Sequence, residues 1–198
     1  MALSPEIQAN RKYEHPFNPL MQNRWSPRAM SGESISDEEL MSLFEAARWA
    51  PSSYNAQPWR FLYAKRDTPE WSLFFNLMIE FNQSWTKNAA ALIVLVSAKN
   101  FEHNNKPSHT HSFDTGAAWM ALALEGSSRG LVVHGMEGFD YAKAAKDLEI
   151  PDTFQVEAMA AIGKKAPKEK LSPELQQKEV PSTRKPMNSL IKKGKFWK

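Results

Sequence analysis

A chain of 198 residues that is 42% hydrophobic, with seven Trp and eleven Phe, has enough apolar material to bury a sizeable core, and its length favours one domain or a tightly merged pair. The net charge of +3 is too small for a dedicated nucleic-acid binder, and much of the excess sits in the C-terminal KKGKFWK, which reads as a solvated basic tail. The absence of cysteine excludes disulfide scaffolds, thiolate metal sites and cysteine nucleophiles.

The opening MALSPEIQANRKYEH has no apolar core of the signal-peptide kind, and the longest apolar run, AAALIVLVSA, is too short to span a bilayer, so a soluble, cytoplasmic protein with no membrane partner is expected. In chain order, QNRWSPRAM (residues 22–30) comes before any strong helix signal. In SDEELMSLFEAARWA, Ser36 and Glu39 form a capping box, and Leu40, Leu43, Phe44 and Ala47 keep helical spacing until Pro51 ends the helix. WRFLYAK reads as a strand. Thr68-Pro69 then predicts the start of a second helix, with Trp71, Phe74, Phe75, Met78 and Trp85 on one stripe and Asn82 among them. AAALIVLVSA reads as a strand covered on both faces, followed by the polar loop KNFEHNNKPSHTH. Residues 112–129 form a helical pattern rich in Gly, Ala and Ser, with Gly130 as its stop. The strand LVVH, the turn GMEGFD, a helix YAKAAKDLE capped by Asp140 and the strand FQVEAMAAIG follow. Residues 164–198 are charged and punctuated by proline, so they are expected to run over a surface as an extended arm. The whole pattern predicts one α+β domain over residues 1–198, a mixed sheet flanked by helices.

No glycine cradle for a nucleotide phosphate, no G-x-S-x-G elbow and no H-E-x-x-H occurs, so a phosphate held here must be held by arginines. In an extended segment, Arg24, Ser26 and Arg28 project to one side and can converge on one ligand, and guanidinium forks suit phosphate or carboxylate. Taken alone, the triplet reads first as ordinary surface arginines, capping helix ends or pairing with Asp37 and Glu38. APSSYNAQPWRF (residues 50–61) adds two serines, Asn55 and Gln57 between a helix end and a strand. These groups could read the edge of a flat heterocycle or satisfy their own turn. The histidines His103, His109 and His111 match no standard metal spacing, so solvated loop residues are the expectation and no metal is assigned. His134 reads as a core residue or one beside a ligand. Phe196 and Trp197 in the basic tail leave open a non-enzymatic binding module.

Taken in order, the motifs resemble those of the FMN-dependent nitroreductases and their flavin-reductase relatives. R-x-S-x-R matches Arg24, Ser26 and Arg28, and A-P-S-x-x-N-x-Q-P-W matches Ala50 to Trp59. The small-residue helix, the GMEGFD turn, the AAIG strand and Arg184 continue the likeness. The resemblance implies a mainly antiparallel sheet whose C-terminal extension packs on the partner subunit of a homodimer, with FMN sites at the subunit interface. Arg24 and Arg184 would hold the FMN phosphate beside Ser26, and Arg28 would lie near the pyrimidine edge. Ser52, Ser53 and Asn55, with Gln57 assisting, would reach the flavin from the other subunit. The Glu137 and Gly138 backbone would approach flavin N5, and Asn82 would point at the ring or bond backbone in the core. NAD(P)H would be the electron donor, with hydride passing through N5 to a small planar acceptor such as a nitroaromatic or quinone by a ping-pong mechanism. No catalytic side chain is implied. The same fold would also suit a flavin-dependent dehydrogenase or reductive dehalogenase. Two departures stand out: Ser182 stands where many relatives carry a lysine, which implies either a weaker phosphate grip or a charge supplied by Lys185, and Pro27 removes a backbone donor from the arginine motif.

Overall fold

The computed structural model describes residues 2–197; Met1 and Lys198, the last residue of the basic tail, lie outside the described residues. Four strands, β1 (Trp59–Lys65), β2 (Ala91–Ala98), β3 (Leu131–Met136) and β4 (Phe154–Lys164), form one sheet in the order β1-β2-β4-β3. The sheet, read as mixed from the order of elements and as mainly antiparallel from the family resemblance, is antiparallel at all three pairings. All eight residues of β2 are buried, which is why its sequence lacks alternation: a central strand covered on both faces needs apolar residues at every position.

One face of the sheet is covered by α3 (Asp37–Arg48) and α6 (His111–Ser128), where Leu40, Leu43 and Leu122 pack on Ile93, Leu95 and Val133. The capping box of α3 is complete: Ser36 Oγ accepts from the Glu39 N–H at 3.0 Å, and Glu39 Oε2 accepts from the Ser36 N–H at 2.8 Å. α6 ends as expected, with Gly130 at φ +76. It lies close on β3 because Gly126 has no side chain; a Cβ there would stand 2.3 Å from Val133 Cγ2.

The opposite face is covered by α4 (Trp71–Phe75), α5 (Glu80–Thr86) and α7 (Tyr141–Asp147), through Phe74, Trp85 and Ala144 on Leu92, Val94 and Met159. Here the single helix expected from Thr68 to Trp85 is corrected. Thr68 and Pro69 form a turn, and the helix breaks after Phe75. The intervening chain leaves helical geometry to pair with the turn after β3: Met78 bridges Phe139, and the Ile79 N–H donates to the Gly138 carbonyl at 3.1 Å. The apolar stripe survives the break because both short helices face the same core.

Two short helices precede the arginine motif, α1 (Pro5–Asn10) and α2 (Pro19–Asn23). Each has Pro at its start and a capping side chain, Ser4 for α1 and Asn18 for α2. The C-terminal arm first returns to its own chain, burying Leu175 of α8 (Pro173–Lys178) and Glu179. Among the described residues, no helix is long and apolar enough to cross a membrane.

Candidate functional site

A cavity of about 860 Å³ opens between α6 and the ends of β2, β3 and β4, within the size range of small-molecule sites. Arg24, Ser26, Glu137 and Arg184 line it, together with Trp119 and Met120 of α6 and Tyr141 and Glu157. Four of the sequence-derived site residues therefore share one cavity. Arg28, Ser52, Ser53, Asn55, Gln57, Asn82 and Gly138 do not line it in this chain.

One end of the cavity is positively charged. Arg24 Nη1 donates to Ser26 Oγ at 3.3 Å. Burial lowers the pKa of Arg24 from its ordinary value, and the nearby Arg184 lowers it further. Arg11, which the sequence reading missed, joins them: burial first, then Arg184 and Arg24, lower its pKa to about 10. Among the described residues, none of the three guanidinium groups forms a salt bridge. Three like charges brought together without a carboxylate suit a multiply charged anion with several acceptor oxygens. Arg184 curls back so that Nη1 donates to Ser182 Oγ at 3.0 Å and to the Thr183 carbonyl at 2.9 Å. Lys185, the substitute expected for the missing lysine, does not line the cavity.

The segment carrying the arginine motif is pinned from outside. Glu179, 5% exposed, accepts at Oε1 from the Arg28 and Ala29 N–H groups at 2.7 and 2.8 Å. His134 of β3 donates from Nδ1 to the Pro27 carbonyl at 2.8 Å, and its ring packs on Trp85. Burial, with Arg28 and Arg24 adding to it against the opposing Pro27 bond, lowers the His134 pKa to about 4, so the imidazole is neutral. Further along, the Ser31 N–H donates to the Lys164 carbonyl at the end of β4, and the Ala166 N–H just beyond it donates to the Ala29 carbonyl. Arg28 does not converge with Arg24 and Ser26 on the cavity: its Nε is buried without a partner, and its backbone is held by Glu179.

The other end of the cavity is polar and acidic. Glu157 Oε1 accepts from Ser97 Oγ at 2.5 Å and from Ser112 Oγ at 2.6 Å, while His111 Nδ1 lies 2.7 Å from Ser97 Oγ. Burial, followed by Glu137 and Glu157, raises the Tyr141 pKa. His111 thus belongs to α6 and this network, whereas His103 packs against the Tyr54 and Phe101 rings, so the loop histidines have separate surroundings.

Residues 52–57 are not the extended chain that alternation of Asn55 and Gln57 would require. Tyr54, Asn55 and Gln57 all have positive φ, at 54°, 54° and 48°. Ser52 Oγ accepts from the Gln57 N–H at 3.0 Å, and the Ser53 N–H donates to Asp114 Oδ2 at 3.0 Å. Asn82 spends its amide inside the core: Nδ2 donates to the Gly138 carbonyl at 2.9 Å and Oδ1 accepts from Trp85 Nε1 at 3.2 Å. Gly138 is required there, because a Cβ would come within 2.6 Å of Asn82 Nδ2.

With this geometry in view, the comparisons agree on one family. A profile of the nitroreductase family matches residues 21–70 and 66–164. A solved oxidoreductase containing FMN is 44% identical, with a TM-score of 0.91 over 94% of this chain and 96% of that one. The Bacillus subtilis protein YdgI, named among the NAD(P)H nitroreductases, is 38% identical over 85 residues, 42% of this chain and 40% of its own length. The major NAD(P)H-flavin oxidoreductase of Aliivibrio fischeri is 28% identical over 94 residues, 46% of this chain and 43% of its own. The chain thus matches less than half the length of these two curated relatives.

Proposed function

The chain belongs to the nitroreductase family, and from that premise we propose that it is an FMN-dependent NAD(P)H oxidoreductase, reducing nitroaromatics, quinones or similar planar acceptors by a ping-pong mechanism. The observation that carries the cofactor assignment is the pair of guanidiniums at one end of the cavity, Arg24 and Arg184, with Arg11 behind them outside the lining and no salt bridge to any of the three among the described residues. FMN, when bound, supplies hydride transfer at N5. The protein binds and orients it. Arg24 and Arg184 would hold its phosphate with Ser26 beside them, and the turn at Glu137 and Gly138 would meet the ring. Arg28 lies outside the cavity lining in this chain with its Nε buried, so its assignment to the ring's pyrimidine edge rests on the R-x-S-x-R motif alone. Asn82, already bonded to Gly138, would act by fixing that turn.

The proposal includes a homodimer, with Ser52, Ser53, Asn55 and Gln57 serving the partner's site. Phe113 on α6 is 80% exposed, and a Cβ added to Gly116, on the same helix, would meet nothing within 4 Å. A helical glycine costs about 1 kcal/mol relative to alanine. Gly116 also lines the cavity, so the open space over it is room shared by the flavin site and a second subunit on this reading. Leu190, Ile191 and Phe196 are exposed in the isolated chain, which supports an arm that packs on the second subunit.

Purified protein is expected to be yellow, and its visible absorbance to bleach anaerobically when NADH or NADPH is added and return on addition of a quinone. A colourless protein that takes up no FMN overturns the proposal. Combining Arg24→Ala with Arg184→Ala should weaken FMN binding by at least about a hundredfold while circular dichroism stays native, and full flavin occupancy in the double variant would sink the phosphate assignment.

A further inference from the structure

We infer that Arg11 is a positioning residue that braces the anion end of the cavity, locking the segment that bears Arg24 to the segment that bears Arg184. The inference rests on the proposed FMN site and adds to it a residue that no motif marks. From the C-terminal cap of α1, Arg11 Nη1 donates to the Gln22 carbonyl at 2.7 Å and the Arg24 carbonyl at 2.8 Å. Its Nε donates to the Ser182 carbonyl at 3.1 Å, across 171 residues of sequence. Buried Gln22 reciprocates, its Nε2 donating to the Arg11 carbonyl at 3.2 Å. One planar guanidinium thus spans both arms of the clamp.

Only the fork of an arginine can do this, because its donors point in fixed, separate directions from a single rigid plane. A lysine offers one compact ammonium at the end of a flexible stem. The docking point matters as well. Position 182 is where serine leaves the C-terminal arm without a charge, and the Arg11 guanidinium rests on that residue's carbonyl. The brace therefore holds a third positive charge behind Arg24 and Arg184, outside the cavity lining but close enough to feel both. Two such groups drawn close to each other repel unless an anion sits among them. The hydrogen bonds of Arg11 to three backbone carbonyls offset that repulsion and keep the clamp assembled for its ligand.

A merely structural arginine, capping the end of α2, would support both flavins equally. The test therefore compares FMN with riboflavin, which has the ring but not the phosphate, by fluorescence titration of the flavin-free protein. Arg11→Gln is expected to weaken FMN binding about tenfold while riboflavin binding stays within about twofold of wild type. Arg11→Lys, which keeps the charge but cannot span three carbonyls, should lose about threefold for FMN alone, and it carries the test if Arg11→Gln does not fold. Equal losses for both flavins, or unchanged FMN binding, overturn the role given to Arg11. Wild-type protein that binds neither flavin instead overturns the cofactor reading on which the inference rests.

Discussion

Residues 22–29 and 52–57 are both short, polar and irregular, yet they keep their shapes by opposite means. The first has no positive φ and is held by side chains from distant parts of the chain: Arg11 on its carbonyls, His134 on Pro27 and Glu179 on the Arg28 and Ala29 N–H groups. The second is held mostly by itself, through Ser52 to Gln57 and Gln57 to Asn55, with Asp114 as its tie to α6. It also keeps three non-glycine residues in the left-handed region, a conformation that costs each of them roughly 1–2 kcal/mol. The first segment is assembled by the fold. The second is a preformed projection whose Tyr54 is 85% exposed, with its strain unexplained by anything it contacts in its own chain.

The largest effect expected from this contrast is a pH dependence confined to the first segment. Because the folded pKa of His134, about 4, lies below its ordinary 6.5, the unfolded chain binds the extra proton first. The stability contributed by the neutral imidazole is complete above pH 6.5 and is lost as pH falls towards 4, amounting to about 3 kcal/mol. Urea unfolding across that range should show a steeper loss for wild type than for His134→Asn, which keeps a donor for the Pro27 carbonyl; parallel slopes would refute it. Next, Glu179→Ala removes the acceptor of one buried and one part-buried N–H group and should cost about 2 kcal/mol by the same measurement. A loss below about 0.5 kcal/mol, the range of ordinary surface changes, would mean that the arm does not hold the motif. The smallest effect belongs to the second segment. Gln57→Gly frees a left-handed position of its Cβ and should leave the thermal midpoint unchanged or raise stability by up to about 1 kcal/mol. A clear decrease would show that the segment is not strained.

The parts of this fold written in local chemistry were legible from sequence. The capping box at Ser36, the glycine stop at Gly130, the Asp140 cap and the uniformly apolar β2 all act within a few residues of themselves, and each took the form expected. The helix through Met78 misled because a stripe of apolar side chains fits one long helix and two short ones on the same core equally well; the break comes from pairing with Phe139, more than fifty residues away. The short helices at Pro5 and Pro19 did carry cap-and-proline signals, but each is too brief to set up periodicity. In the site, Arg24, Ser26, Glu137 and Arg184 came from family-like motifs. Arg11, Glu157, Ser97 and Glu179 belong to no motif. What brings them to the site is the folding of remote segments against one another, and a surface arginine at position 11 looks the same in sequence as a bracing one. Likewise, an extended reading of Asn55 and Gln57 could not foresee positive φ at residues without glycine's freedom.

The contacts of Glu179 with Arg28 and of Ser182 with Arg11 also set an order of events on the ribosome. They join residues 151 and 171 positions apart, so the arginine motif remains unbraced until Glu179 and Ser182 have emerged. The sheet has all its strands by Lys164. A nascent chain at that stage owns its core but not the brace on its arginine motif, so on the proposed FMN reading the capacity to capture a phosphate would be acquired late in translation.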